Sequence, residues 1–382
     1  MSGACARPSA ISIILAETKT ISTNTPMLAQ VKTLVSSVRD IIDACREKAL
    51  RCEDLTREEL IALISIDPDS EDCDYLGETA MDVKRRFSGN VARLGTSIGL
   101  DLRPCKMSCD FCSLGEKVGL ITQEYEISDD TAVQLITDLR KRGFYQFTLR
   151  TTEFYPIERL ANLARRIRSE LGWEFALSGN TGELTPKKAK MLKDAGINAV
   201  YHAVRLREGI DTPLSIKTRS ETIRNAKAAG LRVSSGIDPI GIDHTAEEIA
   251  DLFLLYYTLN VDGMCIMRRI NVPGTKYEGM PEVSDRRLAQ IVAVARLATG
   301  KRWTIAIHPA VEQGLKWGAD HISVETGANP RDNNIDMLRW SLFDHDTALK
   351  MIEHAGCEFG CNPFLSKKQD AENQHVKDHL LA

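Results

Sequence analysis

The chain of 382 residues is long enough for one large barrel or two average domains, and with 43% hydrophobic and 27% charged residues it is globular rather than disordered. A formal charge of −4 gives no global pull toward polyanions, so neither nucleic acid nor a membrane surface is expected as a partner.

In chain order the first feature is "AISIILAE", which is short, follows a single arginine and runs directly into "TKT", so it reads as a terminal segment or strand rather than a leader. No run approaches the ~18 apolar residues that a membrane span needs, and a cytoplasmic protein is expected. A reducing compartment disfavours structural disulfides, which turns attention to the ten cysteines as metal or redox groups. Residues 31–87 predict helices, with Thr56 opening "LTREELIALIS" as a cap followed by acidic residues and an apolar period of three to four.

From Asn90 onward, short β-branched runs alternate with amphipathic stretches. Eight strand candidates follow: "ARLGTSIGL", "YQFTLRTTE", "EFALSGN", "AVYHAVR", "RVSSGIDPIG", "GMCIMRRIN", "WTIAIH" and "HISVETG". Helical stretches such as "SDDTAVQLITDLRKRG" and "TAEEIADLFLLYYTLN" lie between them, several closed by glycine. The pattern predicts an α/β fold, a (βα)8 barrel of the TIM type over residues 89–356. An N-terminal segment with a helical extension precedes it at 1–88, and a short C-terminal tail follows at 357–382. An open doubly wound sheet is the alternative, but neither G-x-G-x-x-G nor a P-loop is present.

The chemistry-bearing stretch is "CKMSCDFC", Cys105 to Cys112, directly after the first predicted barrel strand. Barrel enzymes carry their reacting groups at the C-terminal ends of strands, so the position favours function. A structural zinc site needs a fourth Cys or His with its own spacing, and none follows within forty residues. Three thiolates instead suit a [4Fe–4S] cluster with one iron left open. The spacing of Cys105, Cys109 and Cys112, with Phe111 before the last, resembles the signature of the radical S-adenosylmethionine superfamily. That resemblance implies that the open iron binds S-adenosylmethionine and that one electron cleaves it to methionine and a 5′-deoxyadenosyl radical. The implied partners are S-adenosylmethionine, a small-molecule or carrier-bound substrate, and an electron donor such as flavodoxin or ferredoxin.

The same resemblance suggests roles at other strand ends. In "RTTE", Glu153 occupies the place of a glutamate that receives the cofactor's ammonium group, although Thr151 and Thr152 replace the usual glycines. In "YHAVRLRE", Arg205 suits the cofactor's carboxylate, and Glu208 or His202 the ribose hydroxyls. Gly236 and Gly241 in "SSGIDPIG" permit close approach to an adenine ring. Sequence from about Leu55 to Asn329 is similar to the biotin synthase branch, including "RRFSGN", "TRSETIRNAKAAGLRVSSG" and "INVPGT". Biotin synthase itself is not matched throughout, because Ser234 and Ser235 stand where a cysteine for an auxiliary [2Fe–2S] cluster is expected, and "WTIAIH" lacks its arginine.

Cys357 and Cys361 in "AGCEFGCNPF" could complete an auxiliary iron–sulfur cluster with Cys265 or an N-terminal thiol, which would favour sulfur insertion of the lipoyl synthase kind. They could equally be buried small hydrophobes, as could Cys45 and Cys52 at helical spacing. His308, Asn271, Glu325, Arg331, Asn329 and Asp238 all fall on the predicted mouth and are substrate candidates; Arg331 with Asp332 could fix a carboxylate or brace the last loop. Three readings stand: a radical enzyme inserting sulfur, a radical enzyme rearranging or fragmenting a carbon skeleton in cofactor or metallocluster maturation, and a non-catalytic iron–sulfur redox protein.

Overall fold

A computed structural model of the chain describes residues 37–333, 335–360 and 362. Three helices come first: α1 (Val38–Arg51), α2 (Arg57–Ile64) and α3 (Glu71–Ser88). The capping signal at Thr56 is realised as a box, with Thr56 Oγ1 accepting from the Glu59 amide at 3.2 Å and Glu59 Oε2 from the Thr56 amide at 2.8 Å. Cys45 is fully buried on α1 with Ile42 and Ala49, whereas Cys52 lies just past the helix at φ +58° and so does not share that face.

The barrel begins with β1 (Val91–Gly99) and a small antiparallel pair, β2 (Asp101–Leu102) with β3 (Tyr125–Glu126). Helices and strands then alternate: α4 (Asp129–Lys141), β4 (Gln146–Arg150), α5 (Ile157–Leu171), β5 (Ala176–Asn180), α6 (Pro186–Asp194), β6 (Ala199–Tyr201) and α7 (Ile216–Ala228). The second half follows with β7 (Arg232–Ile240), α8 (Ala246–Leu259), β8 (Gly263–Arg268), α9 (Asp285–Thr299), β9 (Thr304–His308), the short α10 (Glu312–Lys316) and β10 (His321–Thr326). Last come β11 (Trp340–Ser341), α11 (His345–His354) and β12 (Glu358–Phe359). Strands β1 and β4 to β10 pair in parallel in chain order, and β10 returns to β1 through Arg93↔His321 to Ile98↔Thr326. The eight predicted strands are these eight, and the closed (βα)8 barrel is the architecture. Helices α1 and α3 pack on α9, and α2 packs on α8.

Strand alternation separates two environments. Leu94, Phe147, Leu177, Val200, Val233 and Ile305 face the helices and are no more than 1% exposed. The inner face follows the register Ser97↔Thr148↔Ser178↔Ala199 and Gly236↔Cys265↔Ala306↔His321, and it is small and polar. An ordinary barrel fills this space with branched apolar side chains.

The first residues of the predicted tail belong to the barrel wall rather than trailing from it. β12 pairs with the start of β1 through Val91↔Glu358 and Ala92↔Phe359. That register puts Cys357 at the N-terminal end of the barrel, where its thiol lies 3.6 Å from Asn90 and 3.9 Å from the Lys84 ammonium. Among the described residues no helix is long and apolar enough to cross a membrane.

Candidate active site

The three-cysteine loop follows β2 and is held by three other loops at the same end of the barrel. Cys105 N donates to Leu114 O at 2.8 Å and Glu116 N to Cys105 O at 3.0 Å, which closes the loop on itself. Ser113 N donates to Pro330 O beyond β10, and Asp110 N to Asp211 O beyond β6. Lys276, beyond β8, pairs with both Asp110 (2.7 Å) and Asp211 (3.3 Å). Ser108 adopts φ +43°, a conformation that a non-glycine residue holds only when its surroundings impose it.

The loop forms one wall of an open cavity at this end of the barrel. Cys105, Cys109 and Cys112 all line it, as do the predicted Phe111, Glu153, Arg205 and Arg331. Burial pushes the Cys109 thiol up to about 12 and that of Cys112 up to about 11, and the neighbouring cysteines add to both shifts. Burial also raises Cys105, while amide hydrogen bonds from Met107, Glu153 and Ser108 pull it back. Such thiols are protonated until a metal displaces the proton. Among the described residues no three His, Cys, Asp or Glu side chains meet closely enough to hold a single ion. The mutually interacting thiols and their amide donors suit a cluster, in which each thiolate takes its own iron.

Glu153 is fixed from below. Gly182 has no side chain where a Cβ would fall 2.0 Å from the Glu153 carbonyl oxygen, so glycine is required for the two loops to touch. Burial raises the Glu153 carboxyl, and Arg219, 3.6 Å away, opposes the shift. The threonines that replace glycines bond inward: Asp101 accepts from the Thr152 amide (2.8 Å) and hydroxyl (2.5 Å), and Thr151 Oγ1 donates to Thr181 Oγ1 at 3.2 Å. Arg205 stands 3.9 Å from Asp238 and 5.9 Å from the Phe111 ring centre. Burial works to lower its pKa, but Asp238, Glu208 and Cys109 hold it above the ordinary value.

Several predicted residues serve the site without reaching its cavity. Glu208 is held locally, accepting from the Arg205 amide at 2.9 Å and from the Thr212 hydroxyl, and its side chain is fully buried away from the cavity lining. His202 sits behind β6 at 3.4 Å from Glu183, which also pairs with Arg219 at 2.9 Å. Gly236 leaves room for Tyr201, not for a ligand: a Cβ there would meet the Tyr201 hydroxyl at 2.5 Å. Gly241 likewise accommodates the Arg269 guanidinium. Asn271 braces the β8 loop by accepting from Arg269 Nε (3.0 Å) and donating to Met280 O (2.7 Å).

Glu325 lies under the cavity floor, bonded to Arg150 (2.7 Å) and Arg331 (2.6 Å), with Asn329 donating to its other oxygen at 2.7 Å. Burial alone would raise its carboxyl, yet Arg331, Arg150 and His308 hold it well below the usual range. His308 is 3.5 Å from Glu325 and is pushed down to about 4 by burial. Cys357 stands at the opposite end of the barrel, which removes it from the site; Cys361 and Cys5 lie outside the described residues. Asp101, Arg150, Arg219 and Glu183 were not anticipated, although Arg150 and Asp101 are polar residues at strand ends, the signal that found the others.

The profile of the Radical SAM superfamily matches residues 102–256. Biotin synthase of Persephonella marina is 27% identical over 271 residues, covering 68% of this chain and 79% of that protein. Biotin synthase of Clostridioides difficile is 26% identical over 261 residues, covering 66% and 79%. Among solved structures, methylornithine synthase superposes with a TM-score of 0.69 at 20% identity over 87% of this chain and 99% of that one. The FeFe-hydrogenase maturase of Carboxydothermus hydrogenoformans superposes with a TM-score of 0.67 at 17% identity over 90% and 84%. Both of these likenesses are of fold.

Proposed function

Because the chain is a radical S-adenosylmethionine enzyme of the biotin synthase-like branch, we propose that it removes a hydrogen atom from a small substrate held across the barrel mouth, and that the substrate radical then rearranges or fragments. The observation that carries this reading is the convergence of Cys105, Cys109 and Cys112 with Glu153, Arg205 and Asp238 on one cavity. When bound, the cluster and S-adenosylmethionine supply the 5′-deoxyadenosyl radical. Cys105, Cys109 and Cys112 would hold three irons. Glu153, steadied by Arg219, would accept the cofactor's ammonium, and Arg205 would pair with its carboxylate. Met267 and Ile270 on the far wall help exclude water from the reacting atoms. Lys106 and Lys117, exposed on the cysteine loop, present positive charge to an electron donor of the flavodoxin or ferredoxin kind.

Sulfur insertion is the weaker reading. It asks for several further thiols at the cavity, whereas Cys265 alone of the other described cysteines lies on the barrel's inner face and Cys357 stands at the other end. Anaerobic reconstitution with iron and sulfide, reduction with dithionite and addition of S-adenosylmethionine should yield 5′-deoxyadenosine with about four irons per chain. No 5′-deoxyadenosine from an intact cluster, with and without candidate substrates, would sink the radical reading. About eight irons per chain would restore an auxiliary cluster and with it sulfur insertion.

A further inference from the structure

Three large apolar side chains stand in solvent on the loops that surround the cysteine loop. Phe154 is 58% exposed and follows Glu153, whose amide bonds the Cys105 thiol. Ile210 is 75% exposed and precedes Asp211, whose carbonyl accepts from the Asp110 amide at 2.8 Å. Ile216, 50% exposed, opens α7 three residues before Arg219, which pairs with Glu183 at 2.9 Å and stands 3.6 Å from Glu153. Gly182 lets the loops after β4 and β5 touch. The loops after β4, β5 and β6 are thereby tied into one rim of the mouth, with an apolar patch that nothing in the described chain covers.

The same rim is basic where helix starts are ordinarily acidic. Every other described helix carries Asp or Glu in its first turn, whereas α6 and α7 carry none. They carry Lys187, Lys188 and Lys217 instead, which add to the positive end of the helix dipole rather than answer it. Lys106, exposed on the cysteine loop, is a fourth lysine with no ion pair among the described residues. The neighbouring carboxylates are largely spoken for: Asp110 and Asp211 by Lys276, Glu153 and Glu183 by Arg219, and Glu158 by the start of its own α5. Glu116, next to Lys117 in sequence, and Glu221, a turn into α7, are the exposed ones that remain. Four lysines and two uncompensated helix starts around an apolar patch complement an acidic face with an apolar centre.

We infer that this rim is the docking surface for the acidic protein that reduces the cluster, with Phe154, Ile210 and Ile216 as its apolar centre and Lys106, Lys187 and Lys217 as its charged margin. The inference rests on the radical reading, in which one electron leaves an outside donor and enters the cluster. A donor protein has to bring its own redox group close to the cysteine loop, and Phe154 and Ile210 are each one residue from a group bonded to that loop. A second copy of this chain fits less well, because a twofold contact would set the same basic margin against itself.

Calorimetry on the anaerobically reconstituted full chain, with oxidised flavodoxin and separately a ferredoxin as probes, reads the contact without turnover. At least one should bind saturably, about tenfold more weakly in Ile210→Asp and in Lys187→Glu combined with Lys217→Glu, and more weakly again in about 0.5 M sodium chloride. Lys350→Glu, on α11, should bind like the unmodified chain. Both test variants should fold, since Ile210 is mostly in solvent and an acid at the start of α6 and α7 favours those helices. Dithionite needs no docking surface and should drive 5′-deoxyadenosine formation equally in all of these proteins, whereas the reduced protein donor should drive it about tenfold more slowly in the two test variants. Binding of neither donor, binding unchanged in both variants, or equal losses with dithionite and with the protein donor would overturn the inference. So would a dimer of the full chain that Ile210→Asp dissociates, because the patch would then belong to a second copy. Patch-dependent donor binding without 5′-deoxyadenosine under dithionite would strike the radical reading alone; 5′-deoxyadenosine under dithionite without patch-dependent binding would strike this inference alone.

Discussion

Arginine and a buried carboxylate meet at both ends of the barrel, with different outcomes. At the N-terminal end Arg296 donates to Gly318 O (2.9 Å), to Gly300 O (2.7 Å) and to Asp320, and Asp320 also accepts from the Ile305 amide at 2.9 Å. Lys84, fully buried nearby, donates a hydrogen bond to Ala319 O at 2.7 Å. Each side-chain nitrogen of Arg296 and both oxygens of Asp320 find a partner within the chain, while the Lys84 ammonium meets only a carbonyl and a distant thiol. At the mouth Glu325 is divided between two arginines, the cysteine thiols face a cavity, and Arg331 retains an unused donor. At the base the arginine's donors are all used, whereas at the mouth one is left over.

The sharpest way to break this contrast is to remove a ligand at the mouth. Cys109→Ala should lower 5′-deoxyadenosine formation by about a thousandfold or more and cut the iron bound per chain, because the other two thiolates cannot hold the cluster in register. The loop around it is tied by backbone bonds to Asp211 and by Asp110 to Lys276, so the melting temperature of the metal-free protein should barely move. Activity and iron content together check this, and loss of fold instead of loss of iron would erase the distinction between the two ends.

Acid titration acts on both ends together. His202 and His308 near the mouth, His321 at the base and His345 on α11 are each pushed down to about 4 by burial. In the unfolded chain they titrate near ~6.5. Between those values the unfolded state binds more protons than the folded one, so stability is full above the unfolded value and falls as pH drops toward 4. Each histidine contributes a slope of about 1.4 kcal/mol per pH unit at most. Several together should cost on the order of 5 kcal/mol between pH 7 and 5, visible as a falling urea midpoint with proton uptake on unfolding. A midpoint unchanged between pH 7 and 5 would show that these side chains are not held neutral.

What could be read from the sequence divides along the same line. The eight strands were legible because each is a short β-branched run between glycine-punctuated helices, and the cysteine loop because its three ligands lie within eight residues. Arg150, Arg219 and Asp101 were not, since nothing local distinguishes a charged residue at a strand end or in the first turn of a helix that faces the site from one that faces solvent. Glu208 and Gly236 failed for a second reason. Rim position says that a group is near the mouth, but not that Thr212 or the Tyr201 hydroxyl already occupies it. The misplacement of Cys357 has the same origin, because only the pairing of β12 with the start of β1 reveals which end the tail returns to.

At the base, Arg296→Met should leave Asp320 as an uncompensated buried carboxylate and cost on the order of 4 kcal/mol. Thermal unfolding would record the loss, while 5′-deoxyadenosine formation per folded molecule stays at the level of the unmodified enzyme. A matching loss of catalysis at temperatures where the variant is folded would mean that this ion pair communicates with the mouth.

The smallest expected effect belongs to Cys357→Ala. The thiol is 8% exposed and touches Lys84 and Asn90 only at 3.9 and 3.6 Å, distances of weak contact, so its removal should cost about 1 kcal/mol through lost packing. Iron per chain should not change. The measurement is decisive out of proportion to its size, because a fall in iron from about eight to about four in this variant would assign a cluster to the end of the barrel opposite the cysteine loop. Unchanged iron, with a melting temperature lowered by a degree or two, would leave the cavity at the mouth as the place where this chain does its chemistry.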